Sequence, residues 1–198
     1  MNKKTLRTGI FVLAIVAISV TSALLFTNQA GFRGTTYNEP YPLAPYFELT
    51  DSNGSLFRLS DERGRIVLLF FGYTSCPDVC PTTLAELNLA LKEIGNKADS
   101  VQVVFVSVDP DRDTPERVQE YVSRFNPSFI GLSGSTRELQ PIWDAYGIFR
   151  EIVQSDSGVI VNHTARTILI DKEVKMRLSY GFGTPVEDIV HDLELLLK

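Results

Sequence analysis

"GRIVLLFFGYTSCPDVCPTTLAELNLALKEI", residues 64–94, changes character twice. Its first part is a continuous apolar run rich in β-branched and aromatic side chains, as in a central strand buried on both faces. From Thr82 the spacing turns helical, with Leu84, Leu87, Leu91 and Ile94 on one face. Between strand and helix stand Cys76 and Cys80, the only two cysteines of the chain, each followed by proline. In open α/β sheets reactive groups collect beyond the carboxyl ends of the strands, and this turn lies there.

The flanking sequence repeats the alternation. "VQVVFVSVD" (101–109) reads as a second buried strand. Thr114-Pro115-Glu116 caps a helix to Phe125, with proline at its first position. "SFIGLSG" is a short strand, and Ser135 to Glu138 is a capping box opening a helix to about Tyr146. "RTILID" and "VKMRLSY" read as two strands joined at Lys172-Glu173, and Thr184 to Glu187 as a second capping box, for a last helix to Leu197. On the N-terminal side, "YFELTDSNGSLFRLS" is a hairpin about Asn53-Gly54. "GTTYNEPYPLAPY" (34–46), with three prolines, predicts an extended tether of at most about 45 Å. Hairpin, then β, α, β, α, β, α, β, β, α, is an α/β order with a parallel core and an antiparallel edge.

The 198 residues suffice for one sizeable core. Three of the 19 basic residues, Lys3, Lys4 and Arg7, fall in the first seven positions, leaving 16 against 24 acidic ones. So acidic a body does not suit nucleic-acid binding, which leans on Lys and Arg. No charge occurs from Thr8 to Phe32, a run long enough for a transmembrane helix. Basic residues before it and acidic ones after it put the N-terminus in the cytoplasm and the body outside. The competing reading is a signal peptide cleaved near Thr21-Ser22-Ala23, but the apolar run continues past that point, which favours an anchor.

An exported body makes the cysteines telling, because a lone pair in an oxidising compartment would ordinarily be a disulfide. If the first helical turn began at Pro77, the two Cβ atoms would stand about 5–6 Å apart, wider than the 3.5–4.5 Å or so of a relaxed bridge. Any bridge would then be labile. Helix-start N–H groups favour thiolate, so the pair reads as a redox or metal site. A third ligand would have to be His163 or His191. His191, amid the last helix, reads as a surface residue, whereas His163 precedes a strand whose leading turn can approach the cysteines. Two thiolates and an imidazole suit Cu(I), and with an open fourth position also Zn(II). "VDPDRDTP" (108–115) lacks the regular oxygen spacing of a calcium loop and reads as a strand-to-helix connection, and Trp143 as core or cover.

"FFGYTSCPDVCPTTL", "VFVSVDPDRDTPERVQEYV", "GLSG" and "VNHTARTILID" together resemble the Sco/SenC family, membrane-anchored copper-binding proteins of cytochrome c oxidase assembly. The resemblance runs from about Tyr46 to the C-terminus. It implies a thioredoxin-like fold over residues 46–198, after an anchor at 1–33 and a tether at 34–45. It also implies copper, as Cu(I) or Cu(II), on Cys76, Cys80 and His163. The implied partners are oxidase subunit II, other copper chaperones or thioredoxin-like reductants, and the membrane. The implied location is a bacterial inner membrane, crossed once, with the body in the periplasm. The task would be maturing the copper centre of subunit II, by copper transfer or by reduction of its thiols through Cys76 and Cys80. Where thioredoxins place a cis-proline, this chain has His163-Thr164-Ala165-Arg166, which favours metal over general disulfide exchange. Asn162 stands where many members carry aspartate. The alternatives from the residues are an exported thiol-disulfide oxidoreductase and, on the faint likeness of "VCPTT", a peroxidase.

Overall fold

The apolar run that ends at Gly72 lies inside a six-stranded sheet. A computed structural model describes residues 31–155 and 158–198. In chain order these form β1 (Thr35–Thr36), β2 (Glu48–Thr50), β3 (Leu56–Arg58), β4 (Ile66–Gly72), α1 (Val79–Glu93), β5 (Val101–Ser107), α2 (Pro115–Ser123) and β6 (Ile130–Leu132). Then come α3 (Thr136–Ala145), β7 (Arg150–Ser155), β8 (Gly158–His163), β9 (Arg166–Ile170), β10 (Met176–Gly181) and α4 (Val186–Leu196). The sheet order is β1-β10-β9-β4-β5-β6, with β4, β5 and β6 parallel and the β9, β10 and β1 side antiparallel. That is the expected parallel core with an antiparallel edge.

Every residue of β4 and β5 is buried, which is why both read as unbroken apolar runs. Phe70, Phe71 and Phe105 are among the largest fully buried side chains, and burying each contributes about 1.5–3 kcal/mol. Helix α2 lies against β6 so closely that a Cβ on Gly131 would come within 2.8 Å of the Val118 backbone. The expected caps hold at α2, where the Thr114 hydroxyl accepts from Arg117 N, and at α3, where Ser135 and Glu138 form the box. At α4 the expected box from Thr184 to Glu187 does not form. Pro185 takes the N-cap position, and the Thr184 hydroxyl donates back to the Gly181 carbonyl at 2.9 Å.

Two further features were not expected. Strands β7 and β8 form a separate antiparallel hairpin, with Arg150 opposite His163. Residues 33–46 are extended, but they are laced along the body. Thr35 and Thr36 pair with β10, Ala44 N donates to the Val174 carbonyl at 2.9 Å, and the Arg177 guanidinium sits 4.1 Å from the Tyr41 ring centre. Asp192, fully buried on α4, accepts from Arg33 N at 2.9 Å and Gly34 N at 2.8 Å. The predicted membrane helix lies outside the described residues, among which no helix is long and apolar enough to cross a membrane.

Candidate metal centre

Helix α1 begins at Val79, three residues ahead of Thr82. Cys80 is therefore in its first turn and Cys76 lies before it, so the two do not share a helix face as an earlier start would have placed them. The loop instead folds Cys76 back over the helix start. Cys76 N donates to the Tyr73 carbonyl at 3.2 Å, and the Cys76 sulfur accepts from Cys80 N at 3.3 Å. Asp78 at the N-cap makes no side-chain cap bond, and the Cys76 sulfur takes up one of the free N–H groups there. Both thiols are free, Cys76 half-buried and Cys80 fully buried.

Burial of Cys80 has a visible cause. Gly72, at the end of β4, leaves the space in which its sulfur sits, and a Cβ there would stand 2.9 Å from Sγ and 2.7 Å from the Phe105 ring. The Cys80 thiol, hydrogen-bonded to the outer sulfur, holds Cys76 as thiolate with a pKa of about 4. The His163 ring and the Cys80 and Asp78 main-chain N–H groups act in the same direction against burial. The same shared proton, together with burial and the neighbouring thiolate, pushes the Cys80 thiol far up. One sulfur of the pair is charged and the other keeps its proton.

His163 closes the group from the last position of β8. Its Nε2 lies 3.8 Å from Cys80 Sγ, across 83 positions of sequence. Its Nδ1 lies 3.1 Å from the Thr164 carbonyl, which can only accept, so Nδ1 carries a hydrogen and Nε2 is the ring nitrogen turned toward the sulfurs. The ring meets Tyr73 edge-on, with centroids 5.8 Å apart. A cleft of about 240 Å³ opens here, lined by Cys76, Pro77, Tyr73, Val161 and His163 among others. Asn162 is exposed beside it. His191 sits on α4 with Nδ1 3.0 Å from Asp192 Oδ1 and takes no part.

These donors fit a soft ion. A sulfur at about 2.3 Å and an imidazole nitrogen at about 2.0 Å from one ion, with an open angle between them, stand a little under 4 Å apart, as Cys80 and His163 do. Two sulfurs and a nitrogen match Cu(I) better than a hard cation. Among the described residues no three such side chains are yet drawn in as a bound ion would draw them. Binding would thus include movement, for which half-exposed Cys76 has the room.

The loop read only as a connection does more. Asp113, buried, accepts from Thr74 N at 3.1 Å, the Thr74 hydroxyl at 2.6 Å and the Ser107 hydroxyl at 2.7 Å, fixing the residues just before Cys76. Arg117 Nε adds a bond to Thr74 Oγ1 at 2.9 Å. Trp143, in the core, donates to the Ser107 carbonyl at 3.1 Å. Burial raises the pKa of Asp109 against the opposing pull of its partner Arg112. Three carboxylates in the six residues after a strand end that faces two cysteines were the available signal.

A family model described as SCO1/SenC matches residues 35–198. The SCO2-like protein RP587 of Rickettsia prowazekii is 37% identical over 157 residues, covering 78% of this chain and 77% of that one. The solution structure of apo Sco1 from Thermus thermophilus matches with a TM-score of 0.75 and 39% identity, over 85% of this chain and 99% of that one. Bradyrhizobium japonicum ScoI, solved with copper bound, matches with a TM-score of 0.71 and 36% identity, over 78% of this chain and 99% of that one. These likenesses bear out the α/β, thioredoxin-like fold.

Proposed function

For a chain that belongs to the SCO1/SenC family, as this one does, we propose copper binding at Cys76, Cys80 and His163 as the central function. The observation that carries it is the 3.8 Å approach of His163 Nε2 to Cys80 Sγ, from 83 positions away in the sequence, beside a second sulfur that Cys80 N holds at the same helix start. A buried thiol, a thiolate and an oriented imidazole give Cu(I) soft ligands in a cleft that opens on one side. Copper here is cargo, and its destination in this reading is the copper centre of cytochrome c oxidase subunit II. The chain would be held in the inner membrane by the uncharged stretch from Thr8 to Phe32, with its body in the periplasm.

A second reading is favoured by one specific observation. A thiolate with a pKa of about 4 beside a buried partner thiol is equipped to reduce a disulfide, including that of an oxidised client. Titration of the reduced full chain with Cu(I) against a competing chelator separates the two. His163→Ala weakens Cu(I) binding by tenfold or more and leaves dithiol exchange intact if copper is the cargo, since outer and inner ligand losses are typically at least about tenfold. Equal affinity in variant and parent removes His163 from the site and leaves the reductant.

A further inference from the structure

His163 reaches the sulfurs from a hairpin that shares no ladder with the six-stranded sheet. Its distance from Cys80 is therefore set by the short link to β9, through Thr164 and Ala165, and by side-chain contacts. Two of them cross from the hairpin to the end of β5 and the loop after it. Arg150 Nε donates to the Val108 carbonyl at 2.7 Å, with its guanidinium 4.8 Å from the centre of the Trp143 ring. In the other direction, Arg112 Nη1 donates to the Val159 carbonyl of β8 at 2.9 Å.

Arg112 has two further partners. Its Nε pairs with the buried carboxylate of Asp109, and its guanidinium lies 5.7 Å from the centre of the Tyr73 ring. Tyr73 in turn packs edge-on against His163. A guanidinium is a planar fork that can serve a carboxylate on one edge, a carbonyl on another and an aromatic ring on its face. Arg112 thus joins the loop after β5, the strand that carries His163 and the ring that flanks it.

The geometry points to Arg112 as a positioning residue that latches the β7–β8 hairpin, so that His163 Nε2 stands at ligand distance from Cys80. This deepens the copper reading and rests on it. Arg112 acts through Val159 and Tyr73, not on the ion. With the latch gone, the hairpin spends only part of its time in place, and the apparent affinity falls by that fraction. Lysine keeps the charge facing Asp109 but offers a single point donor, so it cannot hold the carboxylate and the carbonyl while covering the ring.

The test uses the full chain as parent, Arg112→Lys, Arg112→Gln, and Arg112→Gln combined with Asp109→Asn. The last removes the buried carboxylate that a single change would leave unpaired. Three quantities are read: Cu(I) affinity by chelator competition, amide hydrogen exchange of β7 and β8 without metal, and the midpoint of the Cys76/Cys80 thiol-disulfide couple. The latch predicts Cu(I) affinity lower by about tenfold or more in the double variant, in line with losses at outer-shell partners, and by less in Arg112→Lys. It also predicts faster exchange confined to the hairpin, and a midpoint moved no further than His163→Ala moves it. A double variant with the parent's Cu(I) affinity and hairpin exchange overturns it. A parent whose Cu(I) affinity is indifferent to His163→Ala sinks the copper reading and this inference with it. A His163-dependent parent with latch variants at parental affinity sinks the inference alone.

Discussion

Replacing Gly72 with alanine places one methyl group behind the Cys80 sulfur, at the back of the proposed metal centre. The new Cβ would lie 2.7 Å from Phe105 Cε2 and 2.9 Å from Cys80 Sγ, so the ring must yield by about 0.8 Å and the sulfur by about 0.6 Å to reach ordinary contact. Neither neighbour has room, because Phe105 and Cys80 are both fully buried. Overpacking of this kind costs about 1–3 kcal/mol, offset by the roughly 0.5–1 kcal/mol by which alanine is preferred to glycine in a strand. A net loss of about 1–2 kcal/mol lowers Tm by about 2–8 °C in a chain of this size. Moving the sulfur relative to His163 also weakens Cu(I) binding, by about tenfold for each 1.4 kcal/mol of misfit. The assay is thermal melting by circular dichroism together with Cu(I) competition. Gly131→Ala is the control, since it crowds the Val118 backbone at 2.8 Å and should lower Tm without touching Cu(I). A Gly72→Ala chain that melts and binds like the parent refutes the idea that this glycine makes room for the sulfur.

Three other outcomes follow from the same geometry. With its pKa near 4, Cys76 is ionised from about pH 5 upward, so its labelling by iodoacetamide changes only a few-fold from about pH 8 to 5. An ordinary thiol, near pKa 8.5, slows by about tenfold per pH unit over that range, and such a slope at Cys76 would count against the shared proton. Asp113→Asn puts an amide donor where Thr74 and Ser107 donate and should cost about 1–3 kcal/mol, read from the urea midpoint. An unmoved midpoint would mean the carboxylate does not brace the cysteine loop. Asp192→Ala leaves the Arg33 and Gly34 N–H groups and the Tyr180 hydroxyl without their acceptor, so amide exchange at residues 33–37 accelerates by about tenfold or more. Parental exchange there would show that the strand alone secures the segment.

Legibility in the sequence followed burial. Strands β4 and β5 are buried along their whole length and show as apolar runs, and the caps at Thr114 and Ser135 show because local bonds make them. The β7–β8 hairpin escaped notice because few of its described residues are buried and its alternation is shallow. "EIVQ" and "VIVN" around "SDSG" nonetheless carry a turn signal that a closer reading would use. The lacing of residues 33–46 left no local trace. A two-residue strand has no period, and the acceptor for the residues just before it, Asp192, lies 158 positions from Gly34. Cys76, Cys80 and His163 stood out by residue type and by resemblance, and the approach of His163 to Cys80 is what the fold adds. The bracing by Asp113 was not, because a carboxylate 39 positions from Thr74 declares its partner only once the sheet is assembled.

The unequal exposure of the two sulfurs imposes an order of service. Cys80 is walled in behind Gly72 and Phe105, and Cys76 stands at the mouth of the cleft. A visitor carrying a disulfide can be struck by the outer atom alone, and only the inner one is then near enough to release it. Cargo resting between the sulfurs would be approachable from that same doorway, so under either proposed role an exchange would begin at Cys76 and finish at the concealed side.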